Sequence, residues 1–153
     1  MKLDRLDKQI LGLLQRDCRL SHQEIAEQIG SSSSSVWRHI QSLEESGVIA
    51  ARVALVDPLV VGLKVCVICN VKLTHHSDDT RVEFEAMITQ ISEVTACYAV
   101  SGNHDYSMTV VVRDVQAYEK FLTQRILNSH LVDAAASSFT LRTVKSTTVL
   151  DIL

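Results

Sequence analysis

Residues 63–73 read Leu-Lys-Val-Cys-Val-Ile-Cys-Asn-Val-Lys-Leu, and every odd position (Leu63, Val65, Val67, Cys69, Val71, Leu73) is apolar. Successive side chains of a strand point to opposite faces, so this period of two predicts a β-strand with one wholly apolar face. Such a face has to be covered. Residues 81–91 place Phe84, Met87, Ile88 and Ile91 at helical spacing, and residues 115–127 do the same with Tyr118, Phe121, Leu122 and Ile126. Residues 94–100 and Tyr106–Arg113 read as strands, separated by the turn cluster Ser101-Gly102-Asn103-His104-Asp105. A last strand is expected from about Ala135 through Lys145. The order β-α-β-β-α-β is the ferredoxin-like split βαβ plan. With both helices on one side, the other face of the sheet is bare. The Val, Leu and Cys residues at alternate strand positions predict that this bare face is apolar, and therefore an oligomer interface.

The first third of the chain has a different period. Leu3, Leu6, Ile10, Leu13 and Leu14 form a helical stripe over residues 3–15. Ser21-His22-Gln23-Glu24 is a capping box that opens a second helix, whose apolar face is Ile25, Ala26 and Ile29 and which Gly30 ends. A third helix is expected over Ser32 to Ser46, with Val36, Ile40 and Leu43 inward and Gly47 as its stop. Val48-Ile49 and Val53-Ala54-Leu55 flank Ala50-Ala51-Arg52 and read as a short hairpin. Asp57-Pro58 marks a boundary, because proline lacks an amide donor and restricts the residue before it. The expected fold class is α+β. A winged helix-turn-helix fills residues 1–56, a linker follows at 57–62, and a ferredoxin-like effector-binding and oligomerisation domain occupies 63–153.

Composition bounds the function. Apolar residues make up 46% and charged residues 22% of the 153, with one Pro and five Gly, the balance of an ordinary globular protein. No apolar run reaches the roughly 18 residues a membrane span needs. The start, Met1-Lys2-Leu3-Asp4-Arg5, has no apolar signal region, so no membrane partner and a cytoplasmic location are expected. The formal net charge is −3, mildly against nucleic-acid binding. Its distribution matters more. Residues 1–56 hold seven Lys/Arg and seven Asp/Glu, while residues 57–153 hold eight and eleven, so the acidic excess lies wholly in the second part. There is no Gly-x-Ser-x-Gly, no phosphate-cradling Gly loop and no His-Glu-x-x-His, so neither an enzyme nor a cofactor is expected.

A helix, a short turn and a second helix followed by a wing place the second helix of the pair in the major groove of double-stranded DNA, its N-terminal part facing base edges. The third helix opens with five serines, Ser31 to Ser35. Their hydroxyls, with the positive end of the helix dipole, suit phosphate or unspecific base contacts. The candidate DNA-binding residues are Ser32, Ser33, Ser34, Ser35, Trp37, Arg38, His39, Gln41 and Ser42. Arg38 suits a guanine edge or a phosphate. Trp37 meets DNA or packs against the first helix; the sequence leaves both open. A run of serines is also what a loop contains, but the capping box, Gly30 and the stripe from Val36 argue for a helix here.

These residues resemble the Lrp/AsnC (feast/famine) family of bacterial and archaeal regulators. The likeness is carried by Leu3-Asp4-Arg5-Leu6-Asp7-Lys8-Gln9-Ile10-Leu11, by Leu20-Ser21 with Glu24-Ile25-Ala26, and by Arg38-His39-Ile40 running into Leu43-Glu44-Glu45-Ser46-Gly47-Val48-Ile49. In the second half it is carried by Val100-Ser101-Gly102-Asn103-His104-Asp105-Tyr106, Asp114-Val115 with Tyr118, and Val144-Lys145. The resemblance spans nearly the whole chain. It implies a repressor or activator that dimerises through its C-terminal sheets, with homodimers assembling to tetramers or octamers. It also implies an amino-acid effector bound between dimers at Ser101, Gly102, Asn103, His104 and Asp105, with Ser138 and Thr140 as further candidates. The chemistry fits: a Gly-bearing turn presents amides to a carboxylate, and Asp105 can take an ammonium. Asp105 could equally cap its own turn. One departure stands out. Many family members carry Arg where this chain has His39, and Arg38 lies one residue earlier, which rotates it about 100° on a helix.

The alternative class is a thiol- or metal-responsive regulator using Cys18, Cys97 and histidines. Cys66-Val67-Ile68-Cys69 has the spacing of a metal or redox pair, but in a strand an odd separation puts its two sulfurs on opposite faces, so no metal site is expected there. His75-His76 lies in a polar stretch that reads as a solvated loop, and His104 beside Asp105 is one pair of ligands rather than a site.

Overall fold

The computed structural model describes residues 2–152. These form two compact units. One runs to Leu55 and takes in the chain again from Lys145; the other is Val56–Val144.

The first unit holds α1 (Arg5–Leu14), α2 (His22–Ile29) and α3 (Ser33–Glu45). Their apolar stripes meet in a core of Ile10, Leu11, Ile25, Ala26, Val36, Ile40 and Leu43. Both α1 and α2 open with reciprocal capping boxes, Asp4 with Asp7 and Ser21 with Glu24. Gly30 ends α2 at φ +66°, a left-handed conformation that needs no Cβ, and its amide donates to the Ala26 carbonyl. Residues 145–152, expected with the second domain, belong to this unit. The Leu150 amide donates to Gln15 Oε1 at 2.7 Å, Gln15 Nε2 donates to the Leu150 carbonyl at 3.1 Å, and Ile152 packs against the three-helix core.

The expected hairpin at 48–55 is not formed: the segment makes no strand. Ala50-Ala51-Arg52 lacks the Gly or Asn that a tight hairpin turn requires. The wing is a loop instead. It is held by the Ile49 amide on the Leu43 carbonyl and by an Arg52–Glu44 ion pair at 2.7 Å.

The second unit runs β1 (Val65–Leu73), α4 (Asp78–Thr89), β2 (Val94–Ala99), β3 (Tyr106–Val112), α5 (Val115–Phe121) and β4 (Val132–Phe139). The sheet order is β2-β3-β1-β4 with every pairing antiparallel, as the ferredoxin-like plan demands. Val67, Cys69, Val71 and Leu73 of β1 are buried with Phe84 and Ile88 of α4 and with Tyr118 and Phe121 of α5. The wholly apolar row is thus the row under the helices. That corrects the expectation of an apolar bare face. The open face carries the even residues Cys66, Ile68, Asn70 and Lys72 with their cross-strand partners Val111, Thr109, Ser107, Ser138, Ala136 and Ala134, a mixture of small, polar and apolar groups. Alternation shows that one face is apolar, and burial by α4 and α5 decides which side of the sheet it takes.

Two boundaries differ from expectation for local reasons. β4 ends at Phe139 instead of continuing to Lys145: with Phe139 opposite Val67, Thr140 already reaches the Cys66 carbonyl with its amide and hydroxyl, one residue from the start of β1. Beyond it Leu141 is 99% and Val144 85% exposed. The helix expected over 115–127 changes at Leu122–Leu127 into a π-helical turn. An α-helix continuing from Phe121 would bring Arg125 onto the buried face. The wider turn keeps Arg125 exposed and seats Ile126, which is fully buried.

No helix among the described residues is long and apolar enough to cross a membrane.

The core of the second unit centres on Phe84, whose ring lies 4.6 Å from that of Tyr106. Burial, with the hydrogen bond that Tyr106 Oη donates to Glu85 Oε1 at 2.7 Å, pushes the Tyr106 hydroxyl up to about 12. Phe84→Ala should cost about 3–5 kcal/mol through the lost ring and the cavity it leaves. Urea unfolding should show a lower midpoint with an unchanged slope; a midpoint within error of wild type would contradict this packing.

Candidate DNA-reading helix and effector turn

α3 is preceded by Ser32, whose hydroxyl accepts the Ser35 amide at 3.2 Å and lies 3.2 Å from the Ser34 hydroxyl. Ser32 therefore caps the helix. Val36, Ile40 and Leu43 turn inward and are buried. At 100° per residue the opposite side collects Ser34, Arg38, Gln41, Ser42 and Glu45, with Trp37 at its edge, while Ser33 falls nearer the buried stripe and is exposed because it opens the first turn. Ser33, Ser34, Arg38 and Ser42 are exposed, Gln41 is half-buried, and Trp37 is 50% exposed, so the indole is not part of the three-helix core.

Ser35 and His39 sit on the flank of α3. The imidazole points away from the outward face: His39 Nδ1 is 2.7 Å from Asp7 Oδ1 of α1. Asp7 is only 4% exposed and is the buried charged residue of the core. Its Oδ2 accepts the Asp4 amide at 2.9 Å, and its own amide donates to Asp4 Oδ1 at 2.8 Å. Burial pushes the Asp7 carboxyl up, but the hydrogen bonds from His39 and the Asp4 amide, with the charge of His39, outweigh it and hold the group below its ordinary value. Sequence reasoning missed this anchor. Its signal was present in Asp4-Arg5-Leu6-Asp7, which has the spacing of a capping box.

The effector candidates lie in the second unit. Ser101, Gly102 and Asn103 are exposed; His104 and Asp105 are half-buried. Gly102 has φ +112°, a conformation L side chains rarely adopt, so the turn depends on glycine there. The amides of Gly102, Asn103 and His104 donate to no other described group. Asp105 is more heavily engaged than the sequence suggested. Its Oδ2 accepts the Leu73 amide at 2.8 Å, its Oδ1 lies 3.1 Å from His76 Nδ1, and its own amide donates to the Val71 carbonyl. The carboxylate thus ties the β2–β3 turn to the end of β1. His76, read as part of a solvated loop, joins that tie.

Ser138 and Thr140 are elsewhere on the sheet. Ser138 stands opposite Ile68, and Thr140 binds Cys66, whereas the turn meets β1 at Val71 and Leu73. At about 3.3 Å per strand residue the two groups are separated by roughly 10–23 Å along β1, with β1 itself between them. One chain does not bring them into one pocket.

The four cysteines are free. Cys66 and Cys69 point to opposite faces, opposite Val111 and Met108. Burial pushes both the Cys69 and Cys97 thiols up, the reverse of what a reactive thiol needs.

The fold and these surfaces define a class: a helix-turn-helix DNA-binding unit joined to a four-stranded regulatory domain. Residues 3–50 match the winged helix-turn-helix DNA-binding family model, and residues 66–150 match that of the Lrp/AsnC ligand-binding domain. The chain belongs to the Lrp/AsnC family of DNA-binding transcriptional regulators. It is 33% identical over 150 residues to the DNA-binding transcriptional activator DecR of Escherichia coli K12, covering 98% of this chain and 99% of that protein. Two solved structures are similar. One is a transcriptional regulator from Neisseria meningitidis in complex with L-Met, with TM-score 0.93, 33% identity, and coverage of 97% of this chain and 96% of that one. The other is an AsnC family regulator from Agrobacterium tumefaciens, with TM-score 0.92, 38% identity and the same coverage.

Because the folded state lowers the Asp7 pKa, Asp7 contributes stability that is present above its unfolded value of about 3.9 and is lost as pH falls through the folded one. Wild type should exceed Asp7→Asn in urea stability at pH 5, and the gap should narrow steadily toward pH 2. A gap that is constant or widens on acidification contradicts the assignment.

Proposed function

We propose that this regulator reads double-stranded operator DNA with the outward face of α3, and that an amino acid bound at the Ser101–Asp105 turn changes that reading. Arg38 is the principal contact, to a guanine edge or a phosphate, with Ser33, Ser34, Trp37, Gln41 and Ser42 around it. The observation that carries this reading is the α3 face itself: a guanidinium among short hydroxyl side chains at a helix N-terminal half, opposite a buried stripe. The effector site takes the ligand's carboxylate on the unpaired amides of Gly102, Asn103 and His104. Asp105 chiefly holds that turn in place. Ser138 and Thr140 join the site only if a second copy supplies them, which favours an effector bound between homodimers in a tetramer or octamer. The L-Met complex of the Neisseria meningitidis relative supports an amino acid as the class of effector.

Fluorescence anisotropy against DNA from the upstream promoter region tests the first part, at stated salt because phosphate contacts are salt-dependent. Arg38→Ala should weaken binding. If Arg38 meets a phosphate, the salt slope falls by about one; if it meets guanine, roughly 1–3 kcal/mol of discrimination is lost at one base pair. No binding by wild type at low salt defeats the reading. A thermal-shift screen of the twenty amino acids tests the second part, since a ligand at 1,000 times its Kd stabilises by about 4 kcal/mol. Gly102→Val should abolish the shift. A flat screen counts against amino-acid sensing.

A further inference from the structure

We infer that His39 is a positioning residue, not a base reader: through Asp7 it anchors the DNA-reading helix to α1, and because the anchor is an imidazole its strength follows pH. The DNA part of this inference rests on α3 being the reading helix.

Three observations carry it. His39 Nδ1 lies 2.7 Å from Asp7 Oδ1, and the contact joins residues 32 positions apart on two helices. Asp7 is buried and hydrogen-bonded to Asp4, so it cannot follow if α3 shifts. Finally, His39 is on the flank of α3, one residue from Arg38, so any rotation that breaks the anchor also turns Arg38 off its face. A substitution far from the bases can thus disturb their reading.

The pH sense follows from the partners. Asp7 is held ionised by its surroundings. When the imidazole is protonated, the contact is a charge-assisted hydrogen bond; when it is neutral, only a hydrogen bond from the ring N–H remains. The anchor is therefore stronger with the imidazole charged than with it neutral, so it weakens as pH rises. From α1 the facing carboxylates are Asp4 and Asp7. On α2, Glu24 is held by Ser21 and Glu27 by Gln23. On α3, Arg38 lies on the outward face and Glu44 pairs with Arg52. Asp4, Asp7 and His39 could in principle surround a cation, but the capping box and the His39 contact already occupy both oxygens of Asp7 and one of Asp4. The cluster is an anchor.

The test uses the full-length protein in two parallel measurements at pH 6 and pH 8, with chelator present. Operator affinity is read by anisotropy. Unfolding is read by urea with the fluorescence of Trp37, the single tryptophan, which lies on α3 itself. Four proteins are compared: wild type, His39→Arg, His39→Gln and Asp7→Asn. His39→Arg keeps a permanent charge and every other histidine, so it sets the background pH response. Relative to it, wild type should lose about fivefold in operator affinity from pH 6 to pH 8, the difference between a charge-assisted and a neutral hydrogen bond. Its unfolding midpoint should fall over the same interval. His39→Gln should be weaker than wild type at pH 6 and follow the background. Asp7→Asn should also follow the background, since the imidazole then has no carboxylate to answer to.

Two results overturn the proposal. If wild type and Asp7→Asn share the same excess pH response in DNA binding, His39 acts on DNA directly. If His39→Gln equals wild type at pH 6 in both measurements, there is no anchor. Should no operator bind at any pH, the reading-helix assignment fails on its own. The anchor is then judged by the unfolding midpoints, where a response identical in wild type and His39→Arg rejects it.

Discussion

The hydrogen bonding of β1 on both of its edges is the constraint from which the second unit follows. β3 pairs along one side from Val65 to Val71, and β4 along the other from Val67 to Leu73. A strand with both edges satisfied has only its two faces left to arrange. Its odd face is apolar without a break and takes the helices; its even face is mixed and stays open. Everything proposed for ligand binding hangs from the ends of this strand. The Ser101–Asp105 turn is tied to Val71 and Leu73, and Thr140 closes on Cys66.

In the first unit the corresponding constraint is the position of α3. Apolar packing fixes its distance from α1 and α2, since Val36, Ile40 and Leu43 are buried among them. Packing alone is forgiving of small rotations, because dispersion contacts are non-directional. The Asp7–His39 contact is directional, and it supplies the orientation that apolar packing leaves loose. The two kinds of interaction divide the work on one short helix.

Several elements were legible because the sequence states them locally. The alternation at 63–73, the Ser21–Glu24 capping box and the glycines at 30 and 47 each identify a structure from a few neighbouring residues. What was not legible depends on partners distant in sequence. The hairpin expected at 48–55 has apolar residues but no tight turn, and forms no ladder. The covered face of the sheet could not be told from alternation. On α3 the 3.6-residue period separated inward from outward positions, but nothing local showed that His39 meets Asp7, 32 residues away. At the Ser101–Asp105 turn, the glycine was readable. The double engagement of Asp105 by Leu73 and His76 was not, because both belong to another element.

The return of residues 145–152 to the first unit bears on how the protein is made. Leu150 and Ile152 lie against Gln15 and the three-helix core, with all of Val56–Val144 between them in sequence. Chains emerge from the ribosome N-terminus first, at about 5–20 residues per second. The helix-turn-helix is therefore translated early and completed late: Ile152, which packs against its core, follows only after the whole of the other unit has been synthesised. The order of synthesis thus links full assembly of the DNA-binding unit to prior production of the domain that regulates it.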